Sequence, residues 1–259
     1  MPARLSPIMP AAAARAQPDQ AAGLRQIFAA QRTRFVALAA NPCVVHAGAV
    51  LERLTAAWSG QGLTTLVVDA AATARAPGAL AEVDLGACIE ALSPAVSYLA
   101  ARDAPMRWLD ARGSTAAFLG AVADAAPQAD VVLVHAEAAD LARLFVGRAP
   151  RPLLMAADQP ESLTRAYAAL KWLALRLHAP AFDLLIAAGP DNPRTPRIAD
   201  SLADTADRFL GVALHDWALV DPMSDVSTTT PPLQRLAMAQ LRGLADAAGP
   251  ATAAIPRAH

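Results

Sequence analysis

The densest group of chemistry-bearing side chains lies in one short loop, Asn41-Pro42-Cys43-Val44-Val45-His46-Ala47-Gly48. Residues 35–40 before it read as a buried strand. Residues 49–58 after it read as a helix, and 64–68 as a second buried strand ending at Asp69. A strand, loop, helix and strand of this length is how a nucleotide-binding domain aims backbone N–H groups at a phosphate. The loop's own chemistry points the other way. It has one glycine, at its end, a proline without an N–H, and no lysine. The single lysine of the chain, Lys171, is far outside it. Cys43 and His46 have a short chelating spacing, and with Asp69 and His135 they make a candidate zinc or cysteine–histidine set. Nothing in the pattern fixes the tetrahedral geometry such a site needs. The competing reading is drift in a crevice without a ligand, and no metal is expected.

The elements that must position these residues alternate along the chain. Strands are expected at 35–39, 64–68, 106–109, 131–134, 153–156, 182–187 and 212–214, with another at 217–220. Helical patterns lie at 115–126, 138–145, 162–177, 196–210 and 232–247. Short apolar strands separated by helices imply parallel pairing covered on both faces, hence an α/β doubly wound, mostly parallel sheet. Residues 72–104 fit this pattern least well. Ligands gather at the carboxyl ends of such strands, at 41–48, Asp69, 110–114, 135–137 and 158–161. Ser114 there reads as a helix N-cap rather than a nucleophile. His178, His215 and His259 read as surface residues.

Composition excludes several classes. The chain has 259 residues, 55% apolar and 5% aromatic, with a net charge of −1. That is enough for one large α/β domain. The charge balance argues against nucleic acid as a partner, while leaving room for a local arginine patch. The two cysteines, Cys43 and Cys88, form no C-x-x-C pair, so no disulfide framework is expected, as suits a reducing cytoplasm. No charge-free run long enough to span a membrane appears. Pro7 and Pro10 interrupt the first sixteen residues, so a signal peptide is not expected. Residues 1–18 and 249–259 are expected to be disordered, 19–31 to form an amphipathic helix, and 33–248 to form the α/β domain.

The spacing from Val36 to Asp69 resembles the MinD/ParA class of P-loop ATPases, and more narrowly FlhG (FleN), the regulator of flagellar number and placement. Those proteins carry a strand, a GKGGVGKT loop, a helix and a strand ending in Asp-Ala-Asp. With the first Asp set on Asp69 the frames align without a gap. The family's first lysine then falls on Pro42, its phosphate-binding lysine on Ala47 and its magnesium-binding threonine on Gly48. The second Asp falls on Ala71, and the later magnesium-shell Asp near Val134-His135. The positions Asn41, Pro42, Cys43, His46, Ala47, Gly48, Asp69 and His135 thus form a vestigial nucleotide site by this resemblance. Ala47 offers no charge to phosphate and Gly48 no hydroxyl to magnesium. ATP and magnesium belong to the family, but no cofactor and no ordinary ATP hydrolysis are expected here.

Two further segments narrow the resemblance. Asp19-Gln20-Ala21-Ala22-Gly23-Leu24-Arg25 is similar to the DQAxxLR activator motif of FlhG, which in that family binds FlhF, a GTPase of the signal-recognition-particle type. The resemblance makes Asp19, Gln20, Ala21, Leu24 and Arg25 partner-binding, with the Gln20 amide placed to orient an attacking water. Read without it, 19–31 is an N-capped helix packed on the body. Ser162-Leu163-Thr164-Arg165-Ala166-Tyr167 is similar to the family's SLTDAY, with Arg165 in place of Asp. Phe209-Leu210-Gly211-Val212 also matches a family pattern. The resemblance implies a cytoplasmic pseudo-ATPase that stimulates an FlhF-type GTPase and meets flagellar basal-body or regulatory proteins, with peripheral membrane contact weakly supported by the helix at 232–247. The alternatives are an active MinD/ParA-type ATPase with an unusual loop, or a metal-dependent enzyme in the same crevice.

Overall fold

Strands whose apolar runs do not alternate must be covered on both faces. The computed structural model, which describes residues 33–78, 84–226 and 228–246, places them that way. Segments 1–18, 19–31 and 249–259 lie outside the described residues, and with them Asp19, Gln20, Ala21, Leu24 and Arg25. Eight strands form one sheet: β1 (Arg34–Ala39), β2 (Thr65–Asp69), β3 (Glu90–Ala91), β4 (Val96–Ala100), β5 (Val131–Ala136), β6 (Leu153–Ala157), β7 (Ala181–Ala187) and β8 (Ala213–Val220). Their order is β3-β4-β2-β5-β1-β6-β7-β8. Every pairing is parallel except that of β3 with β4. The helices are α1 (Ala47–Ser59), α2 (Ala117–Ala125), α3 (Ala138–Leu144), α4 (Pro160–Leu177), α5 (Thr195–Leu210) and α6 (Pro231–Asp246).

Alternate residues of β1 serve the two faces. Phe35, Ala37 and Ala39 join the core under α2 to α5, with Phe118, Leu144, Leu170 and Leu202. Val36 and Leu38 join the core under α1 and α6, with Leu54, Trp58 and Leu236. Fully buried Trp58 donates its indole N–H to the Ala237 carbonyl at 2.9 Å, tying α1 to α6. The helix expected at 232–247 is therefore packed as a covering helix of the domain. The Phe-Leu-Gly-Val segment has a backbone reason. Gly211 ends α5 in the left-handed conformation at φ 63°, and its N–H returns to the Asp207 carbonyl at 3.0 Å.

The structure corrects the sequence reading in the middle of the chain. The strand expected at 106–109 is a 3-10 turn, Ala104–Trp108. Pro105 withholds an N–H from any ladder there. Trp108 instead packs edge-on against Phe118, with ring centroids 5.0 Å apart. The strand in that region is β4, which pairs with β2. The segments 212–214 and 217–220 are one strand, β8, bulged where it passes β7. Phe182 pairs with Leu214 and Asp183 with Asp216, leaving His215 as the extra residue.

That bulge has a charge at its centre. Asp183 is fully buried. Its carboxylate accepts from Arg151 Nε at 2.8 Å and Gln240 Nε2 at 2.6 Å, and lies 3.0 Å from His215 Nδ1. His215 is thus a partner of a buried acid and not merely a surface residue. Removing one partner of a buried charge costs more than the pair contributes. The Arg151→Leu variant is expected to lose about 3 kcal/mol of stability in urea denaturation. Asp183→Asn in that background should recover part of the loss.

Candidate functional site

The carboxyl end of β1 meets β6 on one side and β5 on the other, the point where strand order reverses and ligands enter an open sheet. Asn41 lies there, 4% exposed. Its amide donates to the Met155 carbonyl at 2.8 Å and reaches the Ser162 carbonyl and hydroxyl at 2.9 and 3.1 Å. Its Oδ1 accepts the Cys43 N–H at 3.1 Å. The Ser162 hydroxyl also accepts the Ala157 N–H at 2.8 Å. Val44 folds back, its N–H bonded to the Asn41 carbonyl at 2.9 Å and its side chain buried in the core under α1. Val45 points outward, 80% exposed. Pro42, His46 and Gly48 are exposed, while Cys43 and Ala47 are half-buried. A Cβ at Gly48 would meet open space, so nothing crowds the start of α1.

Beside this loop is a cleft of about 290 Å³, lined by Cys43, Val45, His46, Asp158 and Gly189 among others. Among the described residues no lysine or arginine lines it. Its one carboxylate, Asp158, accepts from Asn192 Nδ2 at 2.9 Å. Asp69 and His135 are not among its walls. They form a separate chain at the ends of β2 and β5, with His135 Nδ1 2.9 Å from Asp69 Oδ1. Tyr98 of β4 donates its hydroxyl to Asp69 Oδ2 at 3.1 Å, and the Ala71 N–H donates to Oδ1 at 3.3 Å. His135 is 3% exposed and its Nε2 has no hydrogen-bond partner among the described residues. The four residues of the candidate metal set are therefore split between two places. Among the described residues no three of His, Cys, Asp and Glu are grouped to hold a metal ion.

The sequence placed Asp158 at this edge, within 158–161, and the cleft lining includes it. The sequence did not mark Ser162 or Tyr98 as members of this region. Ser162 carried a signal only as the first residue of a helical motif. Ser114 does act locally, accepting the Ala116 N–H at 3.1 Å just ahead of α2.

No protein-family model matches the chain, and no curated protein matches its sequence. Solved structures do match. The MinD cell division protein of Aquifex aeolicus is 11% identical with a TM-score of 0.53, over 84% of this chain and 98% of that one. Cobyrinic acid a,c-diamide synthase from Mycobacterium smegmatis, with bound ADP and magnesium, is 18% identical with a TM-score of 0.54, over 81% and 94%. The McdA–ATP complex of Cyanothece is 12% identical with a TM-score of 0.53, over 83% and 96%. This chain has the MinD/ParA P-loop NTPase fold. In this chain the loop from Asn41 to His46 connects the first strand to the first helix.

Burial alone would raise the Asp69 pKa. The hydrogen bond and charge of His135, with the Ala71 N–H and the Tyr98 hydroxyl, outweigh it and hold the carboxyl below its ordinary value. Burial, and then the Asp69 charge, push Tyr98 up from 10.0 to about 12. The folded state thus holds the Tyr98 proton more tightly than the unfolded chain. Its contribution to stability is full below pH 10.0 and is lost as pH rises through about 12. In a Tyr167→Phe background, absorbance titration should find the remaining tyrosine ionising near 12, and Asp69→Asn should bring that midpoint down. Asn41→Ala leaves the Met155 carbonyl and Ser162 without their donor, and should cost about 2 kcal/mol in chemical denaturation.

Proposed function

We propose that the chain is an FlhG-like regulator of flagellar assembly and number whose own nucleotide site has lapsed, and which acts by stimulating an FlhF-type GTPase through residues 19–25. One observation carries the first half: the β1–α1 loop is built around a buried Asn41 and an inward Val44, and among the described residues no lysine or arginine lines the cleft beside it. The residues present do not fit magnesium–ATP. A phosphate cradle needs small residues that let backbone approach, and a lysine for the β- and γ-phosphates. Here Ala47 and Gly48 stand at the start of α1 without charge or hydroxyl. At the end of β5, where a carboxylate would join the magnesium shell, His135 is committed through Nδ1 to Asp69. Asp158 adds a negative charge to the cleft where phosphate would need a positive one.

The second half rests on the sequence of the activator segment and on the fold to which it is attached. A glutamine amide delivered to another protein's nucleotide site orients water there without any nucleotide bound here. Without a bridging nucleotide, any dimer of this chain is constitutive and not ATP-switched.

Two measurements separate the halves. Calorimetry with ATP and Mg²⁺ should give no saturable binding below about 1 mM. A micromolar, Mg²⁺-dependent affinity would instead support an active MinD/ParA-type ATPase. GTP hydrolysis by an FlhF protein should rise on adding the full chain and return to its basal rate with Gln20→Ala. Absence of stimulation by the wild-type chain removes the partner assignment and leaves the nucleotide result standing.

A further inference from the structure

Away from the strand ends, α3 and α4 pack side by side and leave a hollow of about 320 Å³ on the outer surface. Arg112, Arg143 and Arg176 line it, together with Trp172 and Val146. The arginines come from three separate pieces of chain, yet the fold holds them in place. Asp110 Oδ1 accepts the N–H groups of Arg112 and Ser114 at 2.9 and 2.8 Å, fixing the turn that carries Arg112. Gly113 completes the turn at φ 77°, in the left-handed region. The turn is tied to the end of α3 by the Thr115 N–H, which donates to the Arg143 carbonyl at 3.2 Å. Arg176 stacks on Trp172, 5.1 Å from the ring centre, one helical turn along α4.

The charges are not balanced. Arg143 pairs with Asp140 at 3.2 Å. The guanidinium groups of Arg112 and Arg176 have no carboxylate partner among the described residues. Apolar side chains lie exposed beside them: Trp172 at 43%, Val146 at 50% and Leu175 at 62%. Met106, also exposed, lies with its sulfur 3.7 Å from Arg143 Nη1.

We propose that this hollow docks an acidic segment of a partner protein, one with carboxylates spaced around an apolar side chain. The carboxylates pair with Arg112 and Arg176, whose planar forks suit bidentate contacts. The apolar side chain covers Trp172 and Val146. A free phosphate would use the arginines but leave the indole and the aliphatic rim in water. Tryptophan and arginine together are the residues that anchor protein interfaces. The site shares no lining residue with the cleft beside the β1–α1 loop.

The test uses the full chain and a fluorescent synthetic peptide in which glutamates alternate with phenylalanine and glycine. Saturable binding is expected, weakened about 10-fold or more by Arg112→Ala combined with Arg176→Ala, and similarly by Trp172→Ala. Replacing the peptide's glutamates by glutamine, or its phenylalanines by alanine, should each abolish binding. These positions are exposed, so unchanged thermal melting of the variants separates lost docking from lost fold. Three results overturn the proposal. One is binding indifferent to the three substitutions. Another is equal binding of the glutamine peptide. The third is no peptide binding while inorganic phosphate or phosphatidylglycerol vesicles bind in a way that depends on the same arginines.

Discussion

One buried side-chain amide, that of Asn41, holds together the elements that meet at the carboxyl edge of the sheet. It reaches Met155 in the middle of β6 and Ser162 in the first turn of α4 at once, and the Ser162 hydroxyl passes the connection on to the backbone at Ala157. Each of these groups is buried, and a buried donor or acceptor left unpaired is costly. The loop after β1 therefore starts from a fixed point. Its next turn closes on the Asn41 carbonyl and commits Val44 to the core, while Pro42, Val45 and His46 are turned outward before α1 begins. A glycine-rich loop in the same place would have no side chain to anchor and none to bury. The loop here has an anchored side chain at Asn41 and a packed one at Val44 instead of bare backbone.

The anchor also separates the polar groups of this edge. Cys43, His46 and Asp158 stand on the β1–β6–β7 side, beside the cleft. Tyr98, Asp69 and His135 stand on the β4–β2–β5 side and satisfy one another. The second group is a closed chain except for His135 Nε2, which faces no polar partner. A chain of this kind, with Asp69 held ionised and Tyr98 held protonated, fixes the ends of three strands by hydrogen bonds.

The runs at 131–134, 153–156 and 182–187 were legible as strands because parallel strands in mid-sheet are apolar on both faces. The run at 106–109 looked the same by composition. Its residues turn in a 3-10 helix with only Trp108 packed on the core, and only Pro105 hinted at the difference. β4 was missed because Ser97 and Tyr98 interrupt its apolar pattern, and the Tyr98 hydroxyl has its reason in Asp69, on a neighbouring strand. At the site, the position of the loop was readable from spacing alone. Its anchor was not, since Asn41 and Ser162 are 121 residues apart and neither type announces such a bond. The convergence expected for Cys43, His46, Asp69 and His135 failed because spacing along a chain places residues at strand ends without saying which side of a strand they serve.

The two borders of the sheet share a property with a bearing on solubility. At one border β3 is only two residues long, antiparallel, and carries Glu90, which is paired with Arg75 at 2.8 Å. At the other, β8 is interrupted by the bulge at His215. Short, charged or bulged edges offer no straight row of free N–H and C=O groups to a neighbouring chain. An eight-stranded sheet with long flat borders would invite end-to-end growth into fibrils, and this one closes both ends against it.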